Sequence, residues 1–72
     1  MFLTLECFVM DYTCDNTDII IIDFDDNKVL AKFNTDDEID YVMDNYGNRI
    51  VDFVRPAKDG KLIVAIRRST VD

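Results

Sequence analysis

The 72-residue chain has no histidine, no tryptophan and only two glycines. The missing histidine limits its chemistry most, because histidine is the usual general base and the commonest metal ligand in proteins. The single serine, Ser69, lies near the C-terminus and has no histidine to activate it. We therefore expect a protein that is not an enzyme and that holds no cofactor.

Cysteines and long apolar runs are also scarce. Cys7 and Cys14 have six residues between them, a spacing that matches no zinc site, and Cys7 lies in an apolar segment typical of a strand. Two free thiols suit a reducing compartment, and the N-terminus lacks the basic segment of a signal peptide. No apolar run reaches the ~18 residues of a membrane-spanning helix. We predict a cytoplasmic protein without a membrane partner or a bound metal.

One acidic segment imitates the start of a calcium loop. Residues 23–27, DFDDN, place oxygen-bearing side chains at the first, third and fifth positions. The sixth position is Lys28, where a calcium loop needs glycine, and the twelfth is Asn34, where it needs glutamate. We therefore predict a polar hairpin turn at this place.

Negative charge predominates and is unevenly distributed. The chain has 15 acidic and 8 basic residues, a net charge of −7. Residues 1–48 hold 12 acids and two bases (net −10), whereas residues 49–72 hold three acids and six bases (net +3). An acidic surface repels nucleic-acid phosphates and attracts basic proteins. We expect no direct binding of nucleic acid, and we interpret the six C-terminal bases as partners of acids in the same fold.

The hydrophobic pattern predicts a single α+β domain, residues 1–72. Runs rich in β-branched and aromatic residues alternate with polar turns, which is typical of strands. We predict about five strands in an antiparallel sheet, with one helix, in the order β-β-β-α-β-β. The predicted strands are residues 1–10, 19–24, 29–33, 49–55 and 61–68, and the predicted helix is 36–46.

The helix prediction depends on its two ends. Thr35 and Glu38 have the spacing of a capping box, in which each side chain accepts a hydrogen bond from a free backbone N–H. Gly47 is a natural C-cap in the left-handed conformation. Between them, apolar residues recur at helical spacing and form one stripe: Ile39, Val42, Met43 and Tyr46.

An eleven-residue helix covers only one face of a five-stranded sheet. The second face still carries many apolar residues, which need a cover. Two covers are open: a second copy of the chain, most simply in a homodimer, or closure of the sheet into a barrel. The residues expected at such a self-association surface are Phe8, Ile21, Leu30, Val54 and Ile63.

The acids of the predicted helix exceed what its start requires. Negative charge stabilises a helix N-terminus, but Asp44 lies in the last turn, where the dipole disfavours it. Carboxylates on successive turns lie ~5–6 Å apart, close to the phosphate spacing of a nucleic-acid strand. The residues predicted to bind a partner are Asp36, Asp37, Asp40, Tyr41 and Asp44. The alternative is a solvated helix face that only keeps the protein soluble.

A compact acidic chain with a helix, TDDEIDYVMDNYG, between strands resembles the small inhibitor proteins of bacteriophages. These include anti-CRISPR proteins and inhibitors of host polymerase or DNA-repair enzymes. The resemblance concerns size, charge and layout over the whole chain. It implies a non-enzymatic inhibitor that blocks a basic nucleic-acid-binding protein of a bacterial host. The alternative is a small structural or regulatory homo-oligomer.

Overall fold

Four strands and two helices make up residues 3–70, the part of the chain that the computed structural model describes, with side chains described up to residue 68. The helices are α1 (Leu5–Tyr12) and α2 (Asp40–Tyr46). The strands are β1 (Asp18–Asp23), β2 (Val29–Asn34), β3 (Arg49–Pro56) and β4 (Leu62–Thr70). The α+β class is confirmed, and so are four of the predicted strands.

The sheet has the strand order β2-β1-β4-β3. Two antiparallel hairpins, β1–β2 and β3–β4, lie side by side, and β1 runs parallel to β4 at the centre. The predicted all-antiparallel sheet of five strands is therefore wrong, because α2 carries the chain from one outer strand to the other. Within residues 3–70 no pairing joins β2 to β3, so the sheet stays open and does not close into a barrel.

The first predicted strand, residues 1–10, is wrong over most of its length. Its residues 1 and 2 lie outside the described part, and α1 begins at Leu5. Thr4 caps this helix, because its Oγ1 accepts a hydrogen bond from the Cys7 N–H at 3.2 Å. Leu5, Phe8 and Val9 are buried at helical spacing, whereas Cys7, which alternation would bury, is exposed. The helical period therefore decides this segment.

The two residues before α1, Leu3 and Thr4, pair with strand β3 over a short stretch. The Val51 N–H donates a hydrogen bond to the Leu3 carbonyl oxygen at 2.8 Å. Thr4 forms an isolated antiparallel bridge with Ile50. These contacts cover part of the outer edge of β3 and fix the start of α1 beside the sheet.

Helix α2 is shorter than predicted, because the capping box does not form. Thr35 Oγ1 instead accepts a hydrogen bond from the Thr17 N–H and donates one to the Cys14 carbonyl oxygen, both at 3.0 Å. The helix begins after Ile39, which makes no side-chain cap. The predicted helical residues 36–39 thus form the turn that leads into α2.

Gly47 ends α2 for a reason that the sequence prediction missed. Its backbone is right-handed, with φ −58° and ψ −32°, so no left-handed cap forms. The requirement for glycine is space, since a Cβ at this position would lie 2.5 Å from the Met43 carbonyl oxygen. The Gly47 carbonyl oxygen also accepts a hydrogen bond from the Glu6 N–H at 3.1 Å, which brings the two helices together.

Both helices pack on the same face of the sheet. The core between them contains eight buried residues: Leu5, Phe8, Val9, Ile19, Ile21, Val42, Val64 and Ile66. Ile19 and Ile21 face the helices. Ile21 was predicted on the second face of the sheet, so the two sides of β1 are exchanged relative to that prediction. A run of four isoleucines contains no polar residue to mark its exposed side, and this explains the inversion.

The five residues predicted for self-association therefore do not share one surface. Phe8 and Ile21 lie in the core, and Leu30 packs against it. Val54 pairs with Val64 on the helix side of the sheet and is exposed at its edge. Ile63, whose neighbour in β1 is Ile20, lies on the opposite face.

We predict that Gly47→Ala lowers the free energy of unfolding by about 1–3 kcal/mol, because the new methyl group has no room against the α2 backbone. Urea unfolding followed by circular dichroism measures this change. The matched control is Asn48→Ala at the exposed neighbouring position, which should stay within about 0.5 kcal/mol of the unmodified chain. Equal stabilities of the two variants would contradict the steric explanation.

Candidate functional site

Helices α1 and α2 lie side by side in opposite directions. The hydrogen bond from Glu6 to Gly47 joins the start of α1 to the end of α2. At the other end, Thr35, which precedes α2, donates to Cys14, which follows α1. The two helices and the loops tied to them thus form one continuous layer, residues 5–17 and 35–47, which we call the helix layer.

The helix layer carries acids and no lysine or arginine. Its acids are Glu6, Asp11, Asp15, Asp36, Asp37, Glu38, Asp40 and Asp44. All eight are exposed, and none of them forms an ion pair with a cation within the described part of the chain. The layer therefore presents a field of one sign to solvent, which attracts positively charged proteins over about one Debye length, ~8–10 Å.

The structure brings only part of the predicted partner-binding set onto one helix. Asp40, Tyr41 and Asp44 lie on α2 and are exposed. Asp36 and Asp37 lie in the turn before it, so the predicted row of three carboxylates at four-residue intervals is reduced to the pair Asp40 and Asp44. The physical reason is the use of Thr35 by the neighbouring loop, which delays the helix start.

Asp37 has a local structural role. Its Oδ2 accepts a hydrogen bond from the Asn34 N–H at 3.0 Å, and its own N–H donates to the Asn34 carbonyl oxygen at 2.9 Å. Asn34 Nδ2 in turn donates to Asn16 and Asp18 at 3.0 Å. This network fixes the turn. One oxygen of the Asp37 carboxylate is therefore already used in a hydrogen bond within the chain.

Three exposed apolar or aromatic side chains accompany the acids. Met10 is 73% exposed, Tyr12 69% and Tyr41 73%. Sequence reasoning found Tyr41 but missed the two on α1, because residues 1–10 were predicted as a strand and residues 11–18 as a loop. The available signal was Thr4 as a cap, followed by Leu5, Phe8, Val9 and Tyr12 at helical spacing. Tyrosine and methionine are enriched at the cores of protein interfaces.

The positive charges of the C-terminal segment are partly neutralised within the fold. Arg67 pairs with Asp52 at 2.6 Å, and Arg49 pairs with Asp23 at 3.3 Å. Arg68 contacts Asp23 at 3.4 Å and two acids of the β1–β2 turn, Asp25 and Asp26, at 3.5 Å. For these three arginines, the interpretation that the bases offset acids of the same chain is confirmed.

Asp23 is the buried centre of this arginine cluster. Its Oδ1 accepts a hydrogen bond from the Asp25 N–H at 2.8 Å, which makes the DFDDN segment a hairpin turn as predicted. That hydrogen bond, together with the Arg68 and Arg49 guanidinium groups, holds the pKa of Asp23 below its ordinary value and outweighs its burial, which acts in the other direction. Residues 3–68 contain no cluster of metal-ligating side chains.

Comparison of the chain with protein-family models, curated proteins and solved structures finds no match in any of the three. Neither described helix is long and apolar enough to cross a membrane.

We predict that Asp23→Asn makes the stability of the fold less dependent on acid pH. Because the pKa of Asp23 is lower in the folded chain than in the unfolded chain, its charge stabilises the fold fully above about pH 4. This contribution is lost as the pH falls through the folded pKa. The variant should therefore be less stable than the unmodified chain at neutral pH, and the difference should shrink in acid.

Urea unfolding at a series of pH values between about 7 and 2 measures both chains. Asp15→Asn, at an exposed position without an ion pair, is the matched control and should leave the pH profile unchanged. A stability difference for Asp23→Asn that stays constant with pH would refute the role of the carboxylate charge.

Proposed function

We propose that this chain is a non-enzymatic inhibitor that binds another protein through its helix layer and blocks a basic, nucleic-acid-binding site. The observation that carries the proposal is the exposure of eight acids over two helices and their loops without one intervening cation. A surface built only to be soluble intersperses both signs of charge. A field of one sign instead favours rapid encounter with a partner of opposite sign.

Exposed apolar and aromatic side chains in the helix layer can supply the contact energy that binding also requires. Carboxylates alone give long-range attraction but little contact energy, because exposed ion pairs contribute only about 0–1 kcal/mol each. Met10, Tyr12 and Tyr41 provide large side chains that a partner can bury. We propose Tyr41 as an anchor and Asp40 and Asp44 as the adjacent charges that orient it.

The resemblance to acidic bacteriophage inhibitors fits this proposal at the level of size and charge. In that setting the partner is a nucleic-acid-binding protein of the bacterial host, and the helix layer takes the place of phosphate groups. The chain itself repels nucleic acid through the same layer. The second candidate function is a small homo-oligomeric protein, which the uncovered face of the sheet favours.

The partner can be sought with the immobilised chain in a bacterial lysate treated with nuclease. The proposal expects retained proteins that are basic, that elute as salt is raised, and that double-stranded DNA displaces competitively. Retention that salt and DNA both leave unchanged would contradict charge-based occupation of a nucleic-acid site.

We predict that Asp40→Asn combined with Asp44→Asn weakens binding of such a partner by about tenfold or more, since ~1.4 kcal/mol suffices. The fold should remain intact, because neutralising Asp44 removes an unfavourable charge at the end of α2 and repulsion from Asp40 one turn away. Isothermal titration calorimetry measures the affinity, and circular dichroism checks the fold.

A single-charge comparison separates position from net charge. Asp44→Asn and Asp59→Asn each make the chain less negative by one charge, but Asp59 lies in the β3–β4 turn, at φ 63°, which asparagine tolerates. Asp44→Asn should weaken binding and Asp59→Asn should not. Equal effects would mean that only the overall charge of the chain matters, and the helix layer would lose its assignment.

A further inference from the structure

The face of the sheet opposite the helices is not covered by any element in the described chain. Strand pairing places Ile20 beside Lys32 and Ile63, and places Arg55 beside Ile63. Phe53 and Ile22 both neighbour Ala65 on this face. Phe24 follows at the end of β1, with its ring edge-on to Phe53 at 6.3 Å between centroids. We give the name bare face to these eight residues: Ile20, Ile22, Phe24, Lys32, Phe53, Arg55, Ile63 and Ala65.

The bare face has cations at both of its outer strands. Lys32 on β2 and Arg55 on β3 are exposed, and neither forms an ion pair within the described chain. The Arg55 guanidinium carbon lies 5.9 Å from the centre of the Phe53 ring. One acid, the exposed Asp18 of β1, lies on the same face near Lys32. The face therefore combines an apolar centre with cations on both outer strands, whereas the helix layer carries acids alone.

The apolar centre alone is too well covered to drive a tight complex. Ala65 and Ile22 are already buried by their neighbours on the bare face. Phe24 is the large residue of the set that stays clearly exposed, at 42%. Specific interfaces bury roughly 800 Å² per partner, so a partner must add charge complementarity and apolar contacts of its own.

The helix layer of the same chain meets these requirements. The helix layer is acidic, whereas the exposed cations of the bare face are basic. Each surface also exposes large apolar or aromatic side chains: Met10 and Tyr41 on the helix layer, and Phe24 on the bare face. We propose that the bare face of one chain binds the helix layer of a second copy, so that copies associate head to tail. One type of contact then covers both exposed apolar sets and pairs opposite charges.

A two-fold dimer through either surface alone is disfavoured by charge. Two bare faces would bring Lys32 and Arg55 of both copies together, and two helix layers would oppose acids to acids. Like charges across an interface are destabilising. A head-to-tail contact is heterologous, so it leaves one free surface of each kind and permits short open chains or rings.

Charge exchange tests this arrangement. One variant carries Lys32→Glu and Arg55→Glu, which makes the bare face acidic. The other carries Asp40→Lys and Asp44→Lys, which reverses charge on α2. Each variant alone should fail to associate, because acids then meet acids in the first variant, and the bare-face cations meet the two new α2 lysines in the second. An equimolar mixture should associate again, because the unmodified bare face of the second variant can bind the unmodified helix layer of the first.

Sedimentation velocity at about 10 to 500 µM measures association, and circular dichroism confirms that both variants are folded. We expect the unmodified chain to sediment faster with rising concentration, and about tenfold weaker association when salt is raised from about 0.05 to 0.5 M. We expect each variant by itself to stay monomeric and their mixture to associate, at least to a pair that contains one copy of each variant.

Three results would overturn the proposal. The unmodified chain could remain a monomer throughout, or the Asp40→Lys and Asp44→Lys variant could associate by itself as the unmodified chain does, which would indicate a two-fold contact. Binding of a fluorescent single-stranded oligothymidine that Lys32→Glu and Arg55→Glu abolish would assign the bare face to nucleic acid instead. The test needs no target protein, so its failure leaves the inhibitor proposal standing.

Discussion

The parallel pairing of β1 with β4 organises the molecule. Ile21 and Val64 are neighbours across this pair and are both fully buried. Parallel neighbours need a long crossover, which here contains β2, α2 and β3, so α2 must pass over one side of the sheet. Once α2 lies on that side, α1 completes the same layer, and the opposite side is left without a helix.

The strands and turns were largely predictable because their signals are local. Runs of β-branched residues predicted β1, β2, β3 and β4. In the structure, Asp59 and Gly60 lie in the turn between the last two strands, and both have positive φ. α1 was missed because residues 3–9 fit alternation and the helical period about equally well. Tertiary packing decides between the two, because the core buries Phe8 and leaves Cys7 exposed, as a helix requires.

The candidate site was predictable in its charge and less so in its shape. The sequence pattern predicted Asp40, Tyr41 and Asp44 as exposed residues of the site, and within the described residues their side chains form no hydrogen bond or ion pair. The sequence did not predict that Thr35 forms hydrogen bonds with Cys14 and Thr17, or that Asp37 accepts one from Asn34. The use of these polar side chains depends on which loops come together, and that is a tertiary property. The pairing of charges likewise follows from topology, which brings Arg49 and Arg68 to Asp23 and brings Arg67 to Asp52.

The central position of β1 in the sheet also affects the tendency of the chain to aggregate. Four consecutive isoleucines have high β-propensity and no charge, which is the composition of segments that initiate amyloid. In the fold, β2 and β4 pair with the two edges of this strand, so neither edge is open to pairing with another chain. When the chain is unfolded, only Asp18 and Asp23 at the two ends of the run oppose its aggregation, as gatekeeper charges. Asp23 thus protects the same segment in both states, as an ion-pair centre in one and as a repulsive charge in the other.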